Sequence, residues 1–227
     1  MSQLTFKGSH FPKCVILQRV YWYLRYALSY RDIEELMEER GVEVDHSTIQ
    51  RWVVKYTPLL ETEIRKRKKA VGTSWRMDET YIKIKGIWHY LYRAVDKENN
   101  TIDFLLTKKR DKKSAKRFFT KAISNNGLPE KINIDKSGAN LAAIKDYNIE
   151  YNTTIEIQQV KYLNNIVEQD HRAIKRITRG MLGSKSFHSA SITLNGIEMV
   201  RMIKKNQIGT EDKSVQNAAK IFYSLAA

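Results

Sequence analysis

Apolar and polar positions divide the chain into two parts. In residues 13–60 the apolar side chains recur every three to four residues, as in helices, whereas from Thr73 onward they first alternate as in strands and then return to the helical period. This pattern predicts a small all-α domain followed by a larger α/β domain. The predicted boundaries are 1–64 for the helical domain, 65–72 for a basic linker, 73–208 for the α/β domain and 209–227 for a tail of uncertain role.

The helical domain contains the pattern of a helix-turn-helix. Ser29 and Asp32 have the spacing of a capping box at a helix start. Gly41 can end that helix in the left-handed conformation, and Asp45 or Ser47 can cap the next one. The exposed side of this second helix offers side chains that can reach base edges and phosphates in a major groove: Ser47, Thr48, Gln50, Arg51 and Lys55. The alternative is a helical hairpin used for packing or dimerisation.

The α/β domain begins with three strand-like segments and then alternates between helix and strand. Aromatic and β-branched residues dominate 73–85, 87–95 and 101–107. The later segments are a helix over 112–125, a strand over 131–135, a helix over 139–147, a strand over 154–160 and helices over 165–179 and 189–205. This is the element order of the ribonuclease H-like α/β fold. We therefore expect a mixed five-stranded sheet flanked by helices.

Charge indicates the kind of partner. The chain has 227 residues, with 40 Lys and Arg against 25 Asp and Glu, and a formal net charge of +15. The excess is concentrated at 65–69, 108–121 and 172–185, which favours a nucleic-acid-binding track over a merely soluble basic protein. The single cysteine, Cys14, excludes an internal disulfide framework and a multi-cysteine zinc site. No apolar run reaches the roughly 18 residues that span a bilayer, so we expect a soluble cytoplasmic protein that does not contact membranes.

Three carboxylates have surroundings that distinguish them from ordinary surface acids. Asp78 lies in mid-strand among aromatic and apolar neighbours, where an aspartate is disfavoured. Asp135 ends a strand, and α/β proteins build their sites at the carboxyl ends of strands. Glu168 lies in the first turn of the long helix. Three converging carboxylates repel one another, whereas a pair of Mg²⁺ ions would neutralise them and suit phosphodiester chemistry.

Basic residues follow Glu168 along its helix. Lys175 lies two turns later on the same face, and Arg172 and Arg179 share that side. These cations can hold a DNA backbone near the metals. The alternative is that Asp78 is a paired structural acid and Glu168 a favourable charge at a helix start.

Other polar residues near the three carboxylates are left outside the hypothesis. His171 can approach the site or orient a phosphate, but a packed or surface role is equally consistent with its position. Asp170 points about 200° away from Glu168 around the helix, and Glu79 faces the opposite side of its strand from Asp78. Two further acids lie in no comparable context: Asp103 and Asp146.

Several short stretches carry a family resemblance. The most specific is Val160 to Asn165, followed by Glu168 to Arg172 and then Lys175. Shorter matching stretches are 22–26, 28–32, 51–53, 77–85, 90–94 and 135–136. Together they resemble the DDE transposases of the insertion-sequence six family, over nearly the whole chain from about Phe6 to Asn206.

The resemblance implies an activity and its site residues. Asp78, Asp135 and Glu168 would be the catalytic, metal-binding triad for Mg²⁺, with Mn²⁺ as a substitute, and Lys175 the basic residue after the glutamate. The helix-turn-helix would bind the terminal inverted repeats of the element. The implied reaction is strand cleavage by water and transfer of the freed 3′-hydroxyl into target DNA, typically giving cointegrates.

The resemblance also implies an oligomeric state and a cellular location, and it leaves two alternative functions open. Because two element ends must meet, we expect a homodimer or higher assembly on DNA, in the cytoplasm and nucleoid of a bacterium. Ile134 stands where family members often have threonine, and Ile157-Gln158-Gln159 stands where a basic residue often precedes the valine-lysine pair. These departures keep open a catalytically inactive DNA-binding remnant and a ribonuclease H-like nuclease of other specificity.

Overall fold

The computed structural model describes residues 4–181, 186–209 and 217–226. The described residues form two compact units: one is Ala70–Ala173, and the other combines Met1–Lys69 with Ile174–Ala227. These units differ from the predicted domains, since residues 174–208 group with the N-terminal helices and not with the sheet. The functional division predicted from the sequence stays a prediction. Parts of the predicted basic run and tail, at 182–185, 210–216 and 227, lie outside the described residues.

The described elements follow one another as helices, a three-strand segment, and then alternating helices and strands. In chain order they are α1 (Lys13–Arg25), α2 (Tyr30–Glu38), α3 (His46–Lys66), β1 (Ser74–Ile84), β2 (Ile87–Asp96), β3 (Thr101–Thr107), α4 (Lys112–Asn126), β4 (Lys131–Asn133), α5 (Gly138–Glu150), β5 (Glu156–Gln158), a 3₁₀ helix (Lys161–Asn164), α6 (Asn165–Gly180), α7 (Phe187–Lys204) and α8 (Ala218–Ser224). No helix within the described ranges is both long and apolar enough to cross a membrane.

Local sequence explains where α2 and α3 begin and end. Ser29 and Asp32 form both hydrogen bonds of the predicted capping box. Asp45 caps α3, its side chain accepting from the N–H of Ser47 at 2.8 Å. Gly41, with φ of +68°, lies in the turn after α2, where an L side chain would be strained. The helix-turn-helix pattern is therefore present in the fold.

The helix α3 extends into the segment predicted as a basic linker. Arg65 pairs with Glu61 at 2.7 Å and Lys66 pairs with Glu63 at 2.7 Å, and both pairs have the spacing of neighbours on a helix surface. The basic run therefore begins as the last turn of a helix, because acidic residues one turn earlier offset its charge.

The core of the helical unit uses close helix contacts. The unit includes α7, and a Cβ added at Gly196 would lie 2.5 Å from Leu24 of α1 and 2.9 Å from Thr57 of α3. A Cβ at Gly180, the last residue of α6, would overlap the backbone carbonyl of Ala27. Both positions require glycine because the neighbouring chain approaches too closely for a side chain.

The tail contributes a packed helix. In α8 the ring of Phe222 is fully buried and its centroid lies 5.2 Å from that of Tyr21 in α1. Tyr21 and Tyr23 are themselves buried, as expected for aromatic residues at helical spacing. The described part of the tail is thus an element of the helical core.

The other unit is built on a five-stranded sheet with the order β3-β2-β1-β4-β5. β1, β2 and β3 pair antiparallel, whereas β4 pairs parallel with both β1 and β5. Helices α4 and α5 precede β4 and β5, and Phe118 and Phe119 of α4 are fully buried against the sheet. This topology confirms the predicted ribonuclease H-like α/β fold.

β4 and β5 are shorter than the apolar pattern predicted. β4 ends at Asn133, and the prediction that Asp135 closes this strand is therefore wrong. The carboxylate of Asp135 instead accepts a hydrogen bond from the N–H of Ser137 at 3.0 Å, in the turn that leads into α5. This turn takes the chain away from the sheet, because Asp135 bonds to its own following backbone.

Candidate active site

Asp78 is held in the middle of β1 by the β1–β2 ladder. It lies directly opposite Arg93, and its side chain is 19% exposed. Burial is the largest cause that raises the pKa of Asp78, which reaches about 7. The charges of Glu79, Asp135 and Glu168 raise this pKa further, against a hydrogen bond from the Glu79 N–H that lowers it. Asp135 and Glu168 therefore lie near enough to Asp78 to disfavour its charged form.

Asp135 is oriented by two donors. Its Oδ1 accepts from the N–H of Ser137 at 3.0 Å and its Oδ2 accepts from Arg110 at 3.2 Å. Arg110 is itself held by Glu79, whose side chain is 2% exposed and accepts a second hydrogen bond, from Asn140, at 3.0 Å. Each carboxylate oxygen of Asp135 keeps a lone pair for a further ligand.

Glu168 is exposed in the first turn of α6, and the segment before it is hydrogen-bonded to the sheet. Asn133, at the end of β4, donates to Val160 O at 3.0 Å and to Asn164 Oδ1 at 2.7 Å. Asn164 donates to the carbonyl of Met77, the residue before Asp78, at 3.4 Å. These amide contacts connect the approach to α6 with both strands that lead to the other two carboxylates.

Two residues after Glu168, α6 carries a buried ion pair that the sequence analysis did not include. Asp170 accepts from Arg93 of β2 at 2.5 Å, with side-chain exposures of 3% and 0%. The next residue, His171, is also buried, and its Nδ1 lies 3.6 Å from Asp78 Oδ2. Sequence spacing had shown only that Asp170 points away from Glu168, and that side of α6 is the one that meets the sheet.

The donor set fits hard divalent cations. All three candidate ligands are carboxylates, the groups that Mg²⁺ prefers. Burial is the main cause of the raised pKa of Asp78, and the neighbouring carboxylates, whose repulsion a cation would relieve, add to it. The three side chains are not drawn together tightly. Within the described ranges, only one group of His, Cys, Asp and Glu has ligand atoms all within 4.8 Å of one another, and its members are Glu34, Asp45 and His46.

That second group lies at the start of the candidate DNA-reading helix. His46 Nδ1 lies 3.0 Å from Glu34 Oε2, and the N–H of His46 donates to Glu34 Oε1 at 3.2 Å. The contacts join α2 to α3 and so fix the turn of the helix-turn-helix. On the same helix the guanidinium of Arg51 donates to Thr48 Oγ1 at 3.0 Å and to the carbonyl of Ser47 at 3.3 Å.

The predicted DNA-contact residues are accessible to different degrees. Gln50, Arg51 and Lys55 are exposed on α3, and Ser47 and Thr48 are partly buried. On α6, Arg172 and Arg179 are exposed and Lys175 is partly buried. The structure brings Asp78, Asp135 and Glu168 into one unit, whereas the reader helix belongs to the other unit.

Comparison with known proteins gives the family. A family model described as a DDE domain matches residues 72–207. The transposase for insertion sequence-like element IS431mec of Staphylococcus aureus strain N315 is 45% identical over 208 residues, covering 89% of this chain and 90% of the relative. The chain belongs to the insertion-sequence six family of DDE transposases. The transposase for insertion sequence element IS257 in transposon Tn4003, also from Staphylococcus aureus, is 45% identical over the same shares. The protein is thus an insertion-sequence transposase, a polynucleotidyl transferase.

Solved structures similar to this transposase are catalytic cores of retroviral integrases. The HTLV-2 integrase catalytic core domain in complex with magnesium, in its trimeric form, is 21% identical, with a TM-score of 0.48, and the match covers 69% of the transposase and 99% of that chain. The catalytic core domain of BIV integrase is 15% identical, with a TM-score of 0.45, and covers 67% of the transposase and 95% of that chain.

Proposed function

We propose that this transposase binds the terminal inverted repeats of its element, cleaves the DNA strand with water and transfers the freed 3′-hydroxyl into target DNA. The observation that carries the proposal is that Asp78, Asp135 and Glu168 all lie in the part of the chain that matches a DDE domain, within one compact unit. Carboxylates from the middle of β1, from the turn after β4 and from the first turn of α6 are suited to hold divalent cations. In the proposal they bind two Mg²⁺ ions, for which Mn²⁺ can substitute.

Each side chain has a defined part in this proposal. Two bound Mg²⁺ ions would supply activation of the attacking oxygen and stabilisation of the leaving oxygen. Asp78 would provide a ligand from β1, Asp135 one from the turn after β4, and Glu168 the third from the first turn of α6. Arg110 and the N–H of Ser137 keep the carboxylate of Asp135 in one orientation.

The DNA is held by basic and polar side chains on two helices. On α3 they are Ser47, Thr48, Gln50, Arg51 and Lys55, which read the terminal repeats. On α6 they are Arg172, Lys175 and Arg179, which hold the backbone near the carboxylates. The net charge of +15 supports a DNA partner, and DNA affinity should fall steeply as salt rises.

Assembly and location follow from the reaction. Joining two element ends to a target requires at least two copies on the DNA, so we infer a homodimer or higher assembly. The relatives named above come from a bacterium, which supports action in the bacterial cytoplasm, on the nucleoid.

A strand-transfer assay with labelled terminal repeats, target plasmid and Mg²⁺ tests the activity. Joined products that disappear with Asp135→Asn are expected. Binding without cleavage would contradict the proposal and indicate a DNA-binding remnant. Cleavage without joining would also contradict it and indicate a nuclease of other specificity.

The reader helix has its own test. Arg51→Ala should weaken binding to terminal repeats while cleavage of nonspecific DNA is retained, because Arg51 lies in the helical unit and the carboxylates lie in the other. Arg31 is an exposed arginine of α2, and Arg31→Ala is the matched control, which should bind terminal repeats as the wild type does. Equal loss of binding and nonspecific cleavage in Arg51→Ala would contradict the assignment of α3.

A further inference from the structure

The position of Glu168 depends on how the first turns of α6 are held. Glu168 itself is exposed, whereas the side of α6 that meets the sheet carries Asp170 and His171, both buried. An exposed ligand on a helix has few contacts of its own, so its position depends on how firmly the helix is held. The groups that fix α6 against the sheet therefore determine where the Glu168 carboxylate lies.

The Arg93–Asp170 ion pair makes this connection directly. Arg93 stands opposite Asp78 in the β1–β2 ladder, and opposed residues of antiparallel strands project from the same face of the sheet. Its guanidinium contacts Asp170 at 2.5 Å, in surroundings that leave both side chains almost entirely buried. The pair thus links Arg93, which lies opposite the candidate ligand Asp78, to Asp170, which lies two residues after the candidate ligand Glu168.

We propose that Arg93 and Asp170 are positioning residues that set Glu168 at the correct distance from Asp78 for metal binding. The proposal rests on the function proposed above. The pair acts through the backbone of α6: Asp170 is too deeply buried, and too closely held by Arg93, to serve as a fourth metal ligand. Arg93 is likewise fully buried and does not reach DNA.

An ion pair suits this task better than an apolar contact. Replacing a buried ion pair by packed apolar residues is often neutral or stabilising, so stability alone does not account for charges at this place. A charged hydrogen bond has a defined length and direction, whereas apolar side chains tolerate sliding. Loss of a partner that hydrogen-bonds directly to a metal ligand typically weakens metal affinity by about 10–100-fold, and a pair that acts through the helix backbone should have an effect at the lower end of this range.

Other contacts support the same placement. Asn164, one turn before Glu168, bonds to Asn133 and to the Met77 carbonyl. His171 follows Asp170 and lies beside Asp78. Of these contacts, the ion pair is the one in which both partners are charged and almost fully buried.

The test replaces the pair by apolar residues of similar size, in Arg93→Met with Asp170→Leu. Thermal unfolding should show a folded protein, because removing both partners leaves neither charge of this pair buried alone. Mn²⁺ titration of the DNA-free chain should show affinity weakened by about tenfold or more. The same titration of Asp135→Asn measures the Mn²⁺ that binds elsewhere on the protein. Only the binding that this variant loses is assigned to the carboxylate site.

A partly buried pair in the same unit, whose lysine side chain is 31% exposed, gives the control. Lys121 of α4 contacts Asp103 of β3 at 2.9 Å, and the Asp103 side chain is 1% exposed. Lys121→Met with Asp103→Leu should leave Mn²⁺ affinity at the wild-type value. Equal weakening in both double variants would overturn the proposal, because any disturbance of the core would then suffice.

Asp170→Glu keeps the proposal testable if the double variant does not fold. It retains both charges but lengthens the link by one methylene, so a positioning role predicts weaker Mn²⁺ binding. Wild-type affinity in a folded Asp170→Glu or in the folded double variant would overturn the positioning role. Absence of Mn²⁺ binding in the wild type would instead overturn the proposed function.

Discussion

Asp78→Asn should stabilise the metal-free protein at alkaline pH. In the folded chain the pKa of Asp78 is about 7, against an ordinary value of 3.8, so folding favours the protonated carboxyl. The stability that protonation contributes is complete below the ordinary pKa and is lost as pH rises through about 7. A tenfold difference in proton affinity is worth about 1.4 kcal/mol, so ionised Asp78 costs the metal-free fold at most roughly 4 kcal/mol.

Urea unfolding in EDTA at several pH values measures this cost. Between pH 5 and pH 7 the wild type should lose roughly 2 kcal/mol relative to Asp78→Asn, which lacks the titrating group. Asp146→Asn is the control, since Asp146 is a half-exposed surface acid paired with Lys112 at 2.5 Å. Its unfolding free energy should follow that of the wild type across this range.

Added Mg²⁺ tests whether the ionised carboxylate of Asp78 forms part of a metal site. At pH 8 added Mg²⁺ should stabilise the wild type and Asp146→Asn, because it neutralises the carboxylates, and should stabilise Asp78→Asn much less. Parallel pH curves for the wild type and Asp78→Asn would refute the reasoning, as would equal stabilisation of both by Mg²⁺.

Three further substitutions test other parts of the structure. Arg110→Gln should weaken Mn²⁺ binding to the DNA-free protein several-fold in calorimetry, because the Asp135 carboxylate loses the guanidinium that orients it; unchanged or tighter binding would contradict that orienting role. Gly180→Ala should lower the free energy of unfolding by about 1–3 kcal/mol through overpacking, while Gly138→Ala, which meets open space, should change it by about 0.5 kcal/mol or less. Phe222→Ala should cost about 3–5 kcal/mol, and wild-type stability in urea would exclude α8 from the core.

Local signals predicted much of this fold. The capping box at Ser29 and Asp32 depends on residues three apart, and the change from alternating to helical period at residue 112 is visible within one turn. Such features are set by neighbouring residues, so a sequence displays them. The order of strands and helices then restricts the sheet to few topologies.

Features that depend on distant residues were missed. Arg93 and Asp170 are separated by 77 residues, and Arg110 and Asp135 by 25. Their pairing exists only after the sheet forms, because the ladder and α6 bring them together. The strand end at Asn133 was misplaced for a related reason: the side chain of Asp135 bonds to the following turn, which an apolar pattern does not reveal.

In the proposed function, Asp78, Asp135 and Glu168 hold the metal ions that catalyse strand transfer. The most direct measurement gives the protein a terminal repeat already ending in a free 3′-hydroxyl, together with a supercoiled target, so that only the joining step is required. We expect joined products with Mg²⁺, none with EDTA, and none from folded Asp78→Asn, Asp135→Asn or Glu168→Gln. Joining by any of these three variants at the wild-type rate would contradict the proposed function.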